Sequence, residues 1–392
     1  MRYKKKSPII PILMILVVIL AGIMTYNSGI LVEIGLLKGN IPENLIINEE
    51  DTRVTEREEG PEGVQKTLNT IFNLLTGRVE QGKILVFATD VNKSYALSGV
   101  TFEVVDAATG ALKDTLVTGI DGSALSVPLD YRRAYKVKQI QTPNPYVESS
   151  TEIIFEMKAS KVELAFDQTP ESYAIDYSLE DGGIIKVNEL KLEVPLLLQK
   201  PELPNGCEVT ALTSLLNYKG YTVDKVLLSD TFLAKAPFTK VGDKLYGPDP
   251  DVAFSGDPKS PKGWFAYAPP LVKAGDDYLA TVGGKHKLVD LTGKTQEEIM
   301  AYIMEGNPVA VWVTRTLGLG NFAYGWTVEG TEKYIEAPTN LHCMVVHGVV
   351  GNSLYVMDPL EGSMIYDREQ FFTSFVSLGS RAMVIEEEND AK

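Results

Sequence analysis

Leu203-Pro204-Asn205-Gly206-Cys207-Glu208-Val209-Thr210-Ala211-Leu212 opens a helical pattern in which Val209, Leu212 and Leu216 share one face and Gly220 marks the end. Asn205 followed three residues later by Glu208 has the form of a capping box, with Asn205 as N-cap and Cys207 at the second helical position. Free backbone N–H groups and the positive end of the helix dipole favour thiolate over thiol there. Cys207 therefore reads either as an activated nucleophile or as a small buried hydrophobe. The histidines separate the two readings, because a thiolate nucleophile needs a general base.

There are three histidines. His286 lies in the Gly- and Lys-rich turn Gly283-Gly284-Lys285-His286-Lys287, a surface setting. His342 begins the apolar strand Cys343-Met344-Val345-Val346, and Asp358 ends the next strand, Leu354-Tyr355-Val356-Met357. A five-residue hairpin loop from Gly348 to Asn352 puts His342 directly opposite Asp358, where a carboxylate can orient an imidazole. A two-residue turn at Gly351-Asn352 slips that register and separates them. Gln199, upstream of Cys207, is placed to supply its side-chain amide beside the Cys207 N–H as an oxyanion donor. Cys343 and His347 point to the other face of the strand from His342.

These residues recur in a recognisable order. Gln199 with Pro204-Asn205-Gly206-Cys207-Glu208-Val209-Thr210, Pro248-Asp249-Pro250, Gly263-Trp264 with Tyr267-Ala268-Pro269-Pro270, Asn307-Pro308-Val309, His342-Cys343 and Asp358-Pro359-Leu360-Glu361-Gly362 resemble the papain-like cysteine peptidases related to bacteriocin-processing peptidases, family thirty-nine, second subfamily. The resemblance implies an α+β papain-like domain over residues 192–386, with Cys207 as nucleophile, His342 as base, Asp358 as orienting residue and Gln199 as oxyanion donor. The Pro- and Gly-rich stretch 237–270 is long for a connection, so its Trp264 and Tyr267 either line a substrate cleft or pack the loop down.

Ahead of this domain the period changes to two. Runs such as Lys83-Ile84-Leu85-Val86-Phe87, Val100-Thr101-Phe102-Glu103-Val104-Val105 and Ala134-Tyr135-Lys136-Val137-Lys138, separated by Thr109-Gly110 and Asp121-Gly122, predict an all-β sandwich over 80–167. Ser98-Gly99-Val100-Thr101-Phe102-Glu103-Val104 and Tyr135-Lys136-Val137-Lys138-Gln139 resemble the prealbumin-like domain (Cna B-type, SpaA-type) of Gram-positive surface proteins. Many members carry a Lys–Asn isopeptide bond assisted by an acidic residue. Here Ala88 stands at the lysine position and Gln139 at the acidic one, so no crosslink is expected. Residues 168–191, with Asp181-Gly182-Gly183, read as a linker.

Arg2, Lys4, Lys5 and Lys6 precede an uncharged apolar run over 8–26, which as a helix is about 28 Å long and nearly matches a bilayer core. Residues 1–30 are therefore expected to be a basic tip and a transmembrane signal anchor, the alternative being a cleaved signal peptide, with everything beyond exported. Residues 31–79 read as a juxtamembrane stalk with one amphipathic helix at Val64, Leu68, Ile71, Phe72 and Leu75, and 387–392 as an acidic tail. The net charge of −15 repels phosphate backbones and argues against a nucleic-acid partner. Two cysteines make neither a disulfide framework nor a four-thiolate metal site, and no metal or cofactor is expected.

The expected architecture is thus multidomain: an N-terminal transmembrane helix, an all-β prealbumin-like sandwich, then the α+β papain-like catalytic domain. Three functions fit it. They are a membrane-anchored extracellular peptidase acting on a peptide or protein, an acyl-transfer or peptidoglycan-editing enzyme with the same triad, and a catalytically silent surface binding protein. Oligomeric state is not specified by the sequence.

Overall fold

The computed structural model describes residues 80–388. The expected anchor, stalk and stalk helix lie outside the described residues, as does most of the acidic tail. Among the described residues, no helix is long and apolar enough to cross a membrane.

The alternating segments form a two-sheet sandwich. Its strands are β1 (Gln81–Asp90), β2 (Thr101–Asp106), β3 (Leu112–Val117), β4 (Ser123–Leu125), β5 (Leu129–Asp130), β6 (Ala134–Gln141), β7 (Glu152–Glu156) and β8 (Lys161–Gln168). One sheet joins β1 to β8 in parallel and to β4 and β5 antiparallel, and the other runs β3–β2–β6–β7. Because side chains alternate along a strand, Ile84, Val86 and Ala88 of β1 face Phe102 and Val104 of β2 and Val137 of β6 in one buried core. Ala88 is buried, and Gln139 exchanges two amide hydrogen bonds of 2.8 Å with Gln168.

The segment expected to be a linker is a β-hairpin, β9 (Ala174–Glu180) and β10 (Ile184–Lys191). Asp181-Gly182-Gly183 is its turn, with both glycines at positive φ. The hairpin has a foothold in two cores. Tyr177 packs in the sandwich and donates to buried Asp90 (2.8 Å), while Leu190 is buried in the C-terminal core and β10 pairs with a central strand there. A linker reading fails because both strands are mostly exposed or half-buried, which hides their alternation.

The C-terminal part begins with α1 (Cys207–Tyr218), then β11 (Lys235–Ala236), β12 (Thr239–Val241), β13 (Lys244–Gly247) and β14 (Phe254–Ser255). Next come α2 (Ala268–Val282), β15 (His286–Asp290), α3 (Gln296–Met304), β16 (Val309–Thr314), β17 (Tyr324–Val328) and β18 (Tyr334–Ala337). It ends with β19 (Leu341–Val350), β20 (Ser353–Asp358), β21 (Gly362–Asp367), α4 (Arg368–Ser377) and β22 (Ala382–Glu387). The main sheet has the order β15–β22–β16–β19–β10–β9, with β20 on the other edge of β19 and β21 beyond it. Thr295 and Glu298 form a reciprocal capping box on α3, and Asp367 caps α4. Helix α1 packs on β19, its buried face sharing one core with Cys343, Val345 and Met357. Met344, Val346 and Val356 belong to a second core on the opposite face of the sheet.

Candidate active site

His342 and Asp358 meet, but not by the register expected. Strands β19 and β20 turn through Gly351-Asn352, with Val350 opposite Ser353, so the five-residue loop is replaced by the two-residue turn. Uninterrupted, that turn would put the two side chains on opposite faces. The ladder shifts at His347: Gly348 lies opposite Tyr355, yet Val346 lies opposite Val356. This β-bulge adds one residue to β19 and restores the phase. His342 becomes a diagonal, same-face neighbour of Asp358, and Nε2 lies 2.6 Å from Asp358 Oδ1.

The bulge residue has its own task. His347 accepts the Leu192 N–H through its carbonyl and bonds the Leu192 carbonyl through Nδ1, each at 2.8 Å. It thereby holds the strand that leads into the site, and burial pushes its pKa down. At Gly348 a Cβ would come within 2.2 Å of the Leu190 carbonyl, so only glycine lets β10 approach this closely.

Asp358 is 2% exposed. Burial works to raise its pKa, but hydrogen bonds from His342 and from the Leu360 and Glu361 backbone prevail and hold it below the usual range. An ionised Asp358 fixes the Nε2–H tautomer of His342 and leaves Nδ1 as the basic nitrogen. Tyr366, not anticipated from sequence, donates to Asp358 Oδ2 (3.3 Å), and its hydroxyl is pushed up to about 12 by burial and by that carboxylate.

Cys207 is the first residue of α1, not the second. The N-cap is Gly206, with no side-chain cap, because the Asn205 amide donates to the Ser260 carbonyl (2.8 Å). A Cβ at 206 would lie 2.6 Å from the Leu203 side chain, which explains the glycine. Cys207 is 7% exposed. Its thiol donates to Glu208 Oε2 (3.2 Å), and among the described residues no hydrogen bond joins it to His342. Burial first, then the Glu208 carboxylate and Cys343, push the thiol well up, against a lowering contribution from the Cys343 N–H. The thiol is thus raised where the helix start led us to expect it lowered, and burial at a closed site is the largest cause. That N–H contribution still places the sulfur beside the backbone joining Cys343 to His342.

Gln199 is buried, with its backbone N–H on the Pro359 carbonyl (2.8 Å) and Nε2 on the Pro204 carbonyl (2.7 Å). It thus ties the turn after Asp358 to the turn before Cys207. One amide hydrogen of Nε2 is engaged with Pro204, and the other has no acceptor among the described residues. The Cys207 N–H likewise has no partner within the helix.

Of the two aromatic side chains expected to meet substrate, Tyr267 is held by packing. The Arg381 guanidinium lies 3.3 Å above its ring and is itself fixed to Asp251 at 2.7 Å. Trp264 is half-buried against Trp326, Phe238 and Tyr324, with ring centroids 5.5, 6.4 and 6.1 Å away. Tyr324, the exposed member of that cluster, escaped the sequence reading because it comes from a different strand. Among the described residues, no three His, Cys, Asp or Glu side chains converge as metal ligands would.

The peptidase C39-like family matches residues 191–383, and the prealbumin-like fold domain of SpaA type matches residues 82–170. The uncharacterized protein YvpB of Bacillus subtilis (strain 168) is 33% identical over 193 residues, covering 48% of this chain and 72% of that protein. A crystal structure of a Bacillus anthracis protein classed as C39-like peptidase is 32% identical over 50% of this chain and 98% of its own, with a TM-score of 0.44. BcpA, the major pilin subunit of Bacillus cereus, is 20% identical over 24% of this chain and 29% of its own, with a TM-score of 0.22. With 33% identity to YvpB over 72% of that protein and both family regions matched, the chain belongs to the peptidase C39-like family and carries a SpaA-type prealbumin-like domain ahead of its family region.

Proposed function

We propose that the protein is a membrane-anchored extracellular cysteine peptidase in which Cys207, His342 and Asp358 form the triad and Gln199 contributes to the oxyanion hole. The observation that carries the reading is the buried 2.6 Å His342–Asp358 pair, with the Cys207 sulfur at the N–H of the adjoining Cys343, although α1 packs on the Cys343 face of β19. In this mechanism His342 Nδ1 takes the thiol proton as sulfur attacks the peptide carbonyl, and Asp358 holds the Nε2–H of the imidazolium. The oxyanion receives the Cys207 N–H and the second Nε2 hydrogen of Gln199. His342 then returns its proton to the leaving amine, and water or an amine cleaves the thioester. Trp264 and Tyr324 offer the nearby aromatic surface for a substrate side chain.

A silent scaffold is the second reading, favoured by the Cys207 thiol bonding to Glu208 instead of His342. Incubating the full chain with a peptide library and sequencing new termini by mass spectrometry separates the two. The peptidase reading expects cleavage that Cys207→Ala abolishes, whereas no cleavage, or cleavage unchanged in that variant, overturns it.

A further inference from the structure

Glu208 is wholly buried beside the nucleophile, and the triad mechanism gives it no part. Its Oε2 accepts the Cys207 thiol and its Oε1 accepts the Ala266 N–H, each at 3.2 Å. The Ala266 carbonyl in turn receives the indole N–H of Trp312 (2.9 Å), so the loop carrying Trp264 is fastened to the start of α1 through this carboxyl. The groups facing Glu208 are Cys207 on its own helix, Cys343 on β19 and the Ala266 backbone of the 256–267 loop. No Lys, Arg or His among the described residues forms an ion pair with it. A carboxylate buried without a cation favours its neutral form.

We propose that Glu208 is a second proton-holding group of the active site, whose charge state decides whether Cys207 rests as a restrained thiol or is free to ionise. The proposal rests on Cys207 being the nucleophile. With Glu208 neutral, its O–H donates to the sulfur, the thiol proton passes to His342 Nδ1, and the thiolate is held between two donors. With Glu208 ionised, the carboxylate instead accepts the S–H and repels a thiolate beside it. Burial pushes the Glu208 pKa up to about 7, so this change falls in the neutral range, with the restraining form above it.

The test is the rate of iodoacetamide labelling of Cys207 in the full chain from pH 5.5 to 9, read by peptide mapping that scores Cys343 separately. Glu208→Gln is isosteric, keeps an acceptor for the Ala266 N–H and cannot ionise. It is expected to match the wild type at pH 5.5 and to label about tenfold faster at pH 8.5, a change of roughly one pKa unit at the sulfur. Equal rates for both proteins across the range, or a slower variant at pH 8.5, would overturn the proposal. Should the variant fail to fold, the wild-type profile decides: a break in its slope near pH 7 supports the proposal, and a single unbroken thiol titration overturns it. Labelling reads the ionisation of the sulfur without requiring turnover. A Glu208-dependent profile with no peptide cleavage would therefore sink only the peptidase reading, and cleavage with no Glu208 dependence would sink only this inference.

Discussion

Asp358 accepts from His342 Nε2 (2.6 Å) and the Leu360 N–H (2.7 Å) on Oδ1 and from the Tyr366 hydroxyl (3.3 Å) on Oδ2, besides the Glu361 backbone N–H. An asparagine can keep its oxygen for the first two and turn its amide to the Tyr366 oxygen. Removing the imidazole leaves the thiol without a base. His342→Ala is therefore expected to lower peptide turnover by about 10²–10⁴-fold, and Asp358→Asn by less, as kcat of the purified variants will tell. A larger loss in Asp358→Asn would mean that the carboxylate charge, and not its acceptor geometry, is required. In the sandwich, Gln139→Ala leaves the buried Gln168 amide only its longer bonds to Thr142 and the Phe166 carbonyl (3.3 Å each) and is expected to cost about 1–2 kcal/mol, seen as a lower urea midpoint at unchanged slope. Cys207, His342, Asp358 and Gln199 stood out in the sequence as candidates by their types and order, and of these the structure joins His342 to Asp358. Glu208 was legible only as a helix-capping residue, because its true partners, the thiol and Ala266, become neighbours only once the loop folds over the helix.

At the scale of elements, period-two alternation made the sandwich readable, since Ile84, Val86, Phe102 and Val104 have one face to bury. The register of β19 on β20 was not readable. A turn and a bulge each shift phase by a fixed amount, and nothing in the run His342 to Val350 announces that His347 is the extra residue. Hairpin β9–β10 was missed for a different reason: Ile175 and Ile184 are exposed, so hydrophobicity does not mark its faces. Its pairing with β19 places the start of the C-terminal folding unit upstream of Ala174. A chain of residues 172–388 is expected to fold and keep Cys207 reactive. One beginning at residue 192 loses two strands of the main sheet and the Leu190 side chain from its core, and is expected to unfold at lower temperature. Equal melting temperatures for the two chains would show that the hairpin is only an accessory to the sheet.

For the whole molecule, the proposed function requires an exported chain in which an apolar N-terminal run and an acidic stalk precede the sandwich and the peptidase C39-like domain. The anchor is an expectation from composition alone, a run of bilayer length behind four positive charges, with a cleaved signal peptide as its alternative, and it lies outside the described residues. The full chain is expected to sediment with membranes and to be released by detergent but not by high salt, and a chain lacking residues 1–30 to stay soluble. Release of the full chain by salt alone would contradict the anchor. Whether Cys207 is an activated nucleophile is decided by labelling the full chain with a thiol-directed peptidyl electrophile, mapping the modified residue, and repeating the measurement in His342→Ala. Modification is expected at Cys207, with Cys343 untouched, at a rate that falls steeply in the variant. Labelling of neither cysteine, or labelling of Cys207 at the same rate with and without His342, would contradict it.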